Sequence, residues 1–339
     1  MKGARVLCLV HEYLVPPERA MAGTLAGAAW KMEWDIISTL KKLGHQVRVL
    51  GLGGDLSPIH LAIDEFKPTI VFNLMEAFDE VDVFDQNVVS YLELLGLPYT
   101  GCNPRGLMLS RDKALAKKLM AYHGIPVPDF FVVPRGRKAT LPKRLGYPLI
   151  VKSLISESSV GISQASVVAS DRHLRRRVQF IHDTIGTAAI VEQFIDGREL
   201  YASVLGNGRL RVFPPWEMSF GKMPEASWHI ATERAKWSVK YQKRYRIAFR
   251  KAKLTNGVAA RVQHLAKGVF RALDLTGYAR IDMRMAPDGR IFVLEANPNP
   301  QLMRAGYVAR SARLAKIPYG TLLERIMTLG LRWRPERTG

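Results

Sequence analysis

The chain has 339 residues, with 50 Lys and Arg against 30 Asp and Glu, giving a formal net charge of +20 at pH 7. A hydrophobic content of 47% with 24% charged residues excludes a disordered chain and describes a globular protein long enough for two or three domains with sizeable cores. Cys8 and Cys102 are too few and too separate for a disulfide framework or a zinc site, MKGARVLCLV lacks a signal-peptide cleavage pattern, and no window reaches the length of a membrane span, so a cytoplasmic location is expected.

The first hundred residues alternate strand and helix: RVLCLV, a helix near Trp30 to Leu43, QVRVLGL, TIVFN, and a helix near Asp85 to Leu95. That alternation predicts a parallel α/β layer. GLGGD at 51–55 lacks the full glycine fingerprint of a dinucleotide loop and reads as a turn. A helix from Asp112 to Tyr122 stops at the prolines of HGIPVP and leads into the strand DFFVV. YPLIVK, the small-residue loop SLISESSVGIS, the strand QASVV and a basic helix from Asp171 to His182 follow, an α+β pattern. In AAIVEQFIDGRELYASVLGNGRLRVF, DG and GNG are expected to separate antiparallel strands.

From Arg234 to Lys253 there are nine Lys or Arg and no acid, and Trp237, Tyr241, Tyr245 and Phe249 recur every fourth residue, an aromatic stripe along one helix. Three readings fit: a nucleic-acid surface, a lid over an anionic ligand, or a solvated basic helix whose stripe packs on the core. A helix from Gly257 to Leu273 precedes RIDMRMAPDGRIFVLEANPNP, residues 304–330 form closing helices, and LRWRPERTG is a loose tail.

The PDG turn in that stretch joins two alternating runs, IDMRM and IFVLE, and predicts a hairpin. A loop of two or four residues centred between Asp288 and Gly289 sets Asp282 opposite Glu295 and Arg280 opposite Asn297; a three-residue loop would shift the pairing. Directly opposed carboxylates, roughly 5 Å apart at Cβ, repel unless a cation lies between them. Carboxylate and amide oxygens suit a hard divalent ion, most naturally Mg²⁺. The alternative is a solvent-facing hairpin whose acids pair with Arg280 and Arg284.

Lys152 ends an apolar strand before a loop whose Ser158, Ser159 and Gly161 can present hydroxyls and N–H groups to phosphate, and Lys113 in SRDK stands at a helix start. Together, these stretches resemble the ATP-grasp superfamily, and within it the D-alanine–D-alanine ligase-like enzymes. The resemblance runs from PYTGCNPRGLMLSRDKALAKKLMAYHGIPVP through PLIVKSLISESSVGIS and AIVEQFIDGREL to the hairpin, roughly two thirds of the chain. It implies an α/β and α+β architecture: an N-terminal parallel α/β domain at 1–105, a central subdomain at 106–187 and a C-terminal subdomain at 188–330, the last two clamping a nucleotide, with 331–339 as tail.

The resemblance also implies roles. Lys113 and Lys152 contact ATP phosphates and Ser158 and Ser159 close over them. Glu192 binds the adenine amino group, the backbone of Gln193, Phe194 and Ile195 completes that edge, and Glu199 binds the ribose. Asp282, Glu295 and Asn297 hold Mg²⁺, or Mn²⁺ in its place, and Arg280 stabilises the reacting oxygens. The activity implied is a carboxylate–amine ligase working through an acyl phosphate, on small-molecule substrates that the basic segment suggests are anionic, in a homodimer with neither nucleic acid nor membrane as partner.

Three departures count against D-alanine as substrate. The phosphate loop reads SESSVG rather than EGSSVG, and PNPQLMRAG replaces the small, hydroxyl-rich stretch that holds the second substrate's carboxylate. The first strand runs into HEYLVPPER rather than a glycine-rich turn, leaving Glu12 or Glu18 to receive an amino group. Two competing functions remain: a ligase acting on a peptide or protein terminus, and a basic nucleic-acid-binding protein with a vestigial ATP site.

Overall fold

The computed structural model describes residues 3–19, 25, 27–156 and 159–335. The N-terminal unit comprises β1 (Arg5–His11), α1 (Lys31–Lys42), β2 (Gln46–Leu52), α2 (Pro58–Phe66), β3 (Ile70–Asn73) and α3 (Asp85–Leu94), with strands parallel in the order β2-β1-β3. Both faces of β1 are covered, which is why its run is apolar at successive positions instead of alternating. Next come α4 (Pro104–Arg111) and α5 (Lys113–Tyr122), each started by a side-chain cap. Asn103 accepts from Gly106 N–H, and Asp112 accepts from Ala114 and Leu115 N–H, fixing Lys113 in the first turn of α5.

The central sheet contains β4 (Phe130–Val133), β5 (Leu149–Ser153), β6 (Val167–Val168) and β7 (Ala189–Gln193), antiparallel in the order β4-β7-β5-β6, with α6 (Asp171–Phe180) against it. A second antiparallel sheet carries β8 (Arg198–Leu205), β9 (Arg211–Val212), β10 (Trp216–Ser219), β11 (Ala248–Lys251), β12 (Tyr278–Met285) and β13 (Ile291–Pro298). Its order is β11-β10-β8-β12-β13, with β9 on β8. Between β10 and β11 lie α7 (Glu233–Trp237) and α8 (Val239–Tyr245), and α9 (Asn256–Ala272) precedes β12. The closing helices α10 (Tyr307–Leu314) and α11 (Tyr319–Arg332) return to the first unit, where Leu322, Leu323, Ile326 and Met327 share a core with Val6 and Cys8.

Several expectations are corrected. Asp196-Gly197 makes no hairpin: β7 pairs with β4 and β5, β8 pairs with β10 and β12, and the chain changes sheets between them. Gly197 has φ +129°, and a Cβ there would lie 2.1 Å from the Met285 carbonyl oxygen, so close approach to the β12–β13 loop, not a tight turn, requires glycine. Because β7 belongs to the central sheet, a division at 187/188 would cut that sheet, and the crossing at 196–197 is the boundary the pairing supports. QASVV is a single helical turn at Gln164–Ser166 followed by the two-residue β6.

The segment 234–253 is not one helix. Ser238, extended at φ −90° and ψ 102°, ends α7 and caps α8 by accepting from Tyr241 N–H, and Arg246 at φ +51° ends α8 before β11. Tyr241, Tyr245 and Phe249 nevertheless pack together against Tyr201 and Trp216, while Trp237 is 53% exposed. The tail is also partly anchored, since α11 runs to Arg332 and Trp333 Nε1 donates to Glu93 at 3.0 Å.

Candidate active site

The β12–β13 hairpin sets the site. Ala286 N–H donates to Arg290 O and Gly289 N–H to Ala286 O, leaving a three-residue loop, Pro287 to Gly289, with Gly289 at φ +83°. The expected two- or four-residue loop is therefore wrong, and Met285 pairs with Ile291, Arg284 with Phe292 and Met283 with Val293. A β-bulge at Leu294 then shifts the register, so Asp282 faces Glu295 and Arg280 faces Asn297 as expected. The bulge matters because Ile291 and Val293 lie in the core; in an unbroken strand Glu295 would follow them to that face.

On the site face, Arg280 grips Asp282 with two bonds, Nε to Oδ1 at 2.7 Å and Nη2 to Oδ2 at 2.9 Å. Burial lowers the guanidinium pKa, but Asp282 outweighs this and raises it. Glu295 has no hydrogen bond or ion pair among the described residues, although cations surround it. Burial works to raise its pKa, yet Lys113, Lys236, Lys152 and Arg280 prevail and hold it down to about 2. The Asn297 Nδ2 is buried with no hydrogen-bond partner among the described residues. No trio of His, Cys, Asp or Glu converges on a metal-sized site among the described residues. What the hairpin offers instead is two carboxylates and an amide, one carboxylate ionised and uncommitted, and that set of hard oxygen donors fits a divalent cation.

The two sheets face each other across a cavity that gathers most of the expected residues. Lys113 and Lys152 line it, as do Ser159, Glu192, Gln193, Phe194, Ile195 and Glu199, with Asp282 and Glu295 on the hairpin side. Ser158 lies outside the described residues, as does Glu157. Lys113 Nζ donates to Ser156 O at 2.6 Å, so this lysine already holds the serine loop. Lys152 Nζ donates to Glu192 Oε2 at 3.0 Å. Burial pulls the Lys152 pKa down, but Glu192 and Glu295 more than reverse it. Glu199 accepts from Tyr201 OH at 2.7 Å, and Arg284 Nε stands 3.8 Å from it. The carboxylate of Glu192 is wholly buried between Lys117 and Lys152.

Arg280 and Asn297 are not in that cavity; they line a second one of about 580 Å³ on the other side. The rings of Tyr201, Tyr307 and Phe249 form its wall, Tyr201 and Tyr307 stacking at 5.6 Å and Phe249 meeting Tyr307 at 4.4 Å. Glu76, Arg111, Gln301 and Met303 also border a smaller cavity of about 290 Å³ beside β1 and α1. Glu12 and Glu18, the expected stand-ins for an amino-group ligand, are exposed, Glu12 lying over Gly53. The smaller cavity is lined instead by Glu33 and Glu76. Glu33 is 1% exposed, its Oε2 has no hydrogen-bond partner among the described residues, and burial pushes its pKa up to about 7.

Two further lysines escaped sequence reasoning. Lys117 is fully buried, 3.6 Å from Glu192 Oε1, and donates to Leu294 O at 2.6 Å. Its spacing of four from Lys113, one helical turn on the same face, was the available signal. Lys236 on α7 lines both the nucleotide-side cavity and the 580 Å³ one, and nothing in its basic segment distinguished it from its neighbours.

Comparison with known proteins adds three findings. The family described as "D-ala D-ala ligase C-terminus" matches residues 119–328. The chain is 32% identical to the D-alanine–D-alanine ligase of Desulfotalea psychrophila over 250 residues, 73% of this chain and 74% of that one, and 30% identical to an uncharacterised protein of Sinorhizobium fredii over 94% and 91% of the two. The solved D-alanine–D-alanine ligase of Bacillus anthracis, complexed with ATP, superposes with a TM-score of 0.75 at 21% identity, over 97% of this chain and 98% of that one. No helix among the described residues is long and apolar enough to cross a membrane.

Proposed function

This chain belongs to the D-alanine–D-alanine ligase family, with its ATP-grasp fold, and from that premise we propose that it is an ATP-dependent ligase that activates a carboxylate as an acyl phosphate and joins it to an amine, releasing ADP and phosphate. The observation that carries this reading is convergence: residues from α5, β5, β7, β8, β12 and β13 meet in one cavity between two sheets, where the Glu295 carboxylate stands ionised and open among four cations.

In this reading Lys113 and Lys152 hold the ATP phosphates, and the serine loop, tied by Lys113 through Ser156, covers them. The strand end at Gln193 to Ile195 receives the adenine edge, with the Glu192 carboxylate the acceptor for its amino group, and Glu199 takes the ribose. Asp282, Glu295 and Asn297 hold Mg²⁺, or Mn²⁺ in its place. The metal supplies charge neutralisation and a template for the phosphates. Arg280, between the hairpin and the second cavity, stabilises oxygen charge as the acyl centre becomes tetrahedral, an effect on the order of 3 kcal/mol per donor. The substrate carboxylate attacks the γ-phosphorus and ADP leaves; the amine then attacks the acyl carbon and phosphate leaves. Holding acyl phosphate and amine in one enclosed cavity makes the second step effectively unimolecular and limits hydrolysis.

The ring wall of Tyr201, Tyr307 and Phe249 beside Arg280 supports an acceptor other than D-alanine. A peptide acceptor draws support from the exposed cations of α8 and β11, of which Arg250 is bound to Glu217. The nucleic-acid reading loses three of its four stacking rings, since Tyr241, Tyr245 and Phe249 pack inward and only Trp237 of the stripe is exposed. A panel of amino acids, small carboxylates and acidic peptides, scored by ADP and phosphate release with mass detection of the amide, tests the proposal. Phosphate release without any condensed product across the panel would count against it.

A further inference from the structure

Glu192 shares its carboxylate between two lysines that differ in freedom. Lys152 Nζ, 3.0 Å from Oε2, lines the nucleotide-side cavity and can turn toward a phosphate. Lys117 Nζ, 3.6 Å from Oε1, cannot: its side chain is fully buried and donates at 2.6 Å to the carbonyl of Leu294. Leu294 is the bulge residue, left unpaired between Met283–Val293 and Asp282–Glu295, and a bulge leaves an extra residue outside the ladder. Lys117 supplies a partner for that carbonyl and is pinned by it.

Charge balance gives the pinning a purpose. If Lys152 were the sole counter-ion of Glu192, turning it toward a phosphate would strand a buried carboxylate, which is costly. With a second ammonium fixed at Oε1, Lys152 can leave Oε2 without stranding it. Burial lowers the Lys117 pKa to about 8, against the pull of Glu192, so the ammonium is still charged at pH 7.

We propose that Lys117 is a positioning residue, the fixed counter-ion of Glu192 that releases Lys152 to the phosphates of the bound nucleotide. This rests on the nucleotide reading above, and the same hydrogen bond ties the bulge of the carboxylate hairpin to the nucleotide cavity.

The test is titration calorimetry at pH 7 with Mg·ADP, and competition by adenosine, on wild type, Lys117→Met, Lys117→Arg, Glu192→Gln and the double variant Lys117→Met/Glu192→Gln. Lys117→Met should weaken ADP about tenfold or more and adenosine by no more than about twofold. Lys117→Arg, keeping the charge, should stay within about fivefold of wild type. In the Glu192→Gln background, Lys117→Met should cost less than about threefold, because no carboxylate remains to be stranded. Equal losses for ADP and adenosine, or a tenfold loss persisting in the Glu192→Gln background, would overturn the proposal. If Lys117→Met alone does not fold, the double variant against Glu192→Gln decides, since both charges leave together. Wild type that fails to bind ADP would refute the nucleotide reading itself, a result distinct from variants that break this pattern.

Discussion

The nucleotide-side cavity and the small cavity beside β1 handle buried charge in opposite ways. On the nucleotide side, every buried acid has cations around it: Glu192 has two lysines, Asp282 has Arg280, and Glu295 is held down by Lys113, Lys236, Lys152 and Arg280. Beside β1, Glu33 lies buried with an oxygen that has no hydrogen-bond partner among the described residues, and its pKa is raised to about 7. Excess positive charge prepares the first side for a polyanion. The second carries an uncompensated acid that folding alone would not favour, and such groups concentrate where a ligand completes them.

Experiments can break or sharpen this contrast. The largest effect is expected on the balanced side: Glu295→Gln keeps shape and removes the carboxylate, and ADP release should fall about 10²–10³-fold while the urea midpoint holds. Glu33→Gln should act oppositely, on stability. Its folded pKa of about 7 exceeds the 4.5 of a free glutamate, so the folded state holds the proton longer and stability drains away as pH rises from 4.5 through 7. Gln should therefore stabilise by about 2 kcal/mol at pH 8 and by little at pH 5, read from urea unfolding at both values. A destabilised Gln variant at pH 8 would mean that the carboxylate is satisfied after all. Lys236 borders both cavities, and Lys236→Met should lower turnover about tenfold, or ~1.4 kcal/mol, in steady-state assays. The smallest effect belongs to the loop tip. Gly289 has φ +83° and a Cβ there would meet only Arg261 Nη2, at 3.9 Å, so Gly289→Ala should cost about 1 kcal/mol in thermal unfolding and leave both cavities working.

What the sequence disclosed follows the reach of each signal. Helix ends written in caps were readable: Asp112 starts α5, and the predicted span differs by one residue. The pairing of Asp282 with Glu295 was readable too, although the loop has three residues and only the bulge restores that pairing. IFVL at 291–294 is apolar at every position, so alternation could not locate the bulge; core packing of Ile291 and Val293 did. Asp196-Gly197 carries the same dipeptide as the true hairpin, but its strands find partners in different sheets, and that choice depends on residues tens of positions away. The aromatic spacing of four at 237–249 survived as packing for three of its four rings even though the helix broke twice. Glu33 left no trace, because one acid among the polar positions of an amphipathic helix looks like any other.

The two-pronged grip of Arg280 on Asp282 has a last implication. It lets the hairpin fold and persist without any visitor, because the repulsion between its facing acids is muted from within. The same grip makes the guanidinium an incumbent: an arriving cation must win a share of Asp282 from it, trading some affinity for a scaffold that is assembled before its guests arrive.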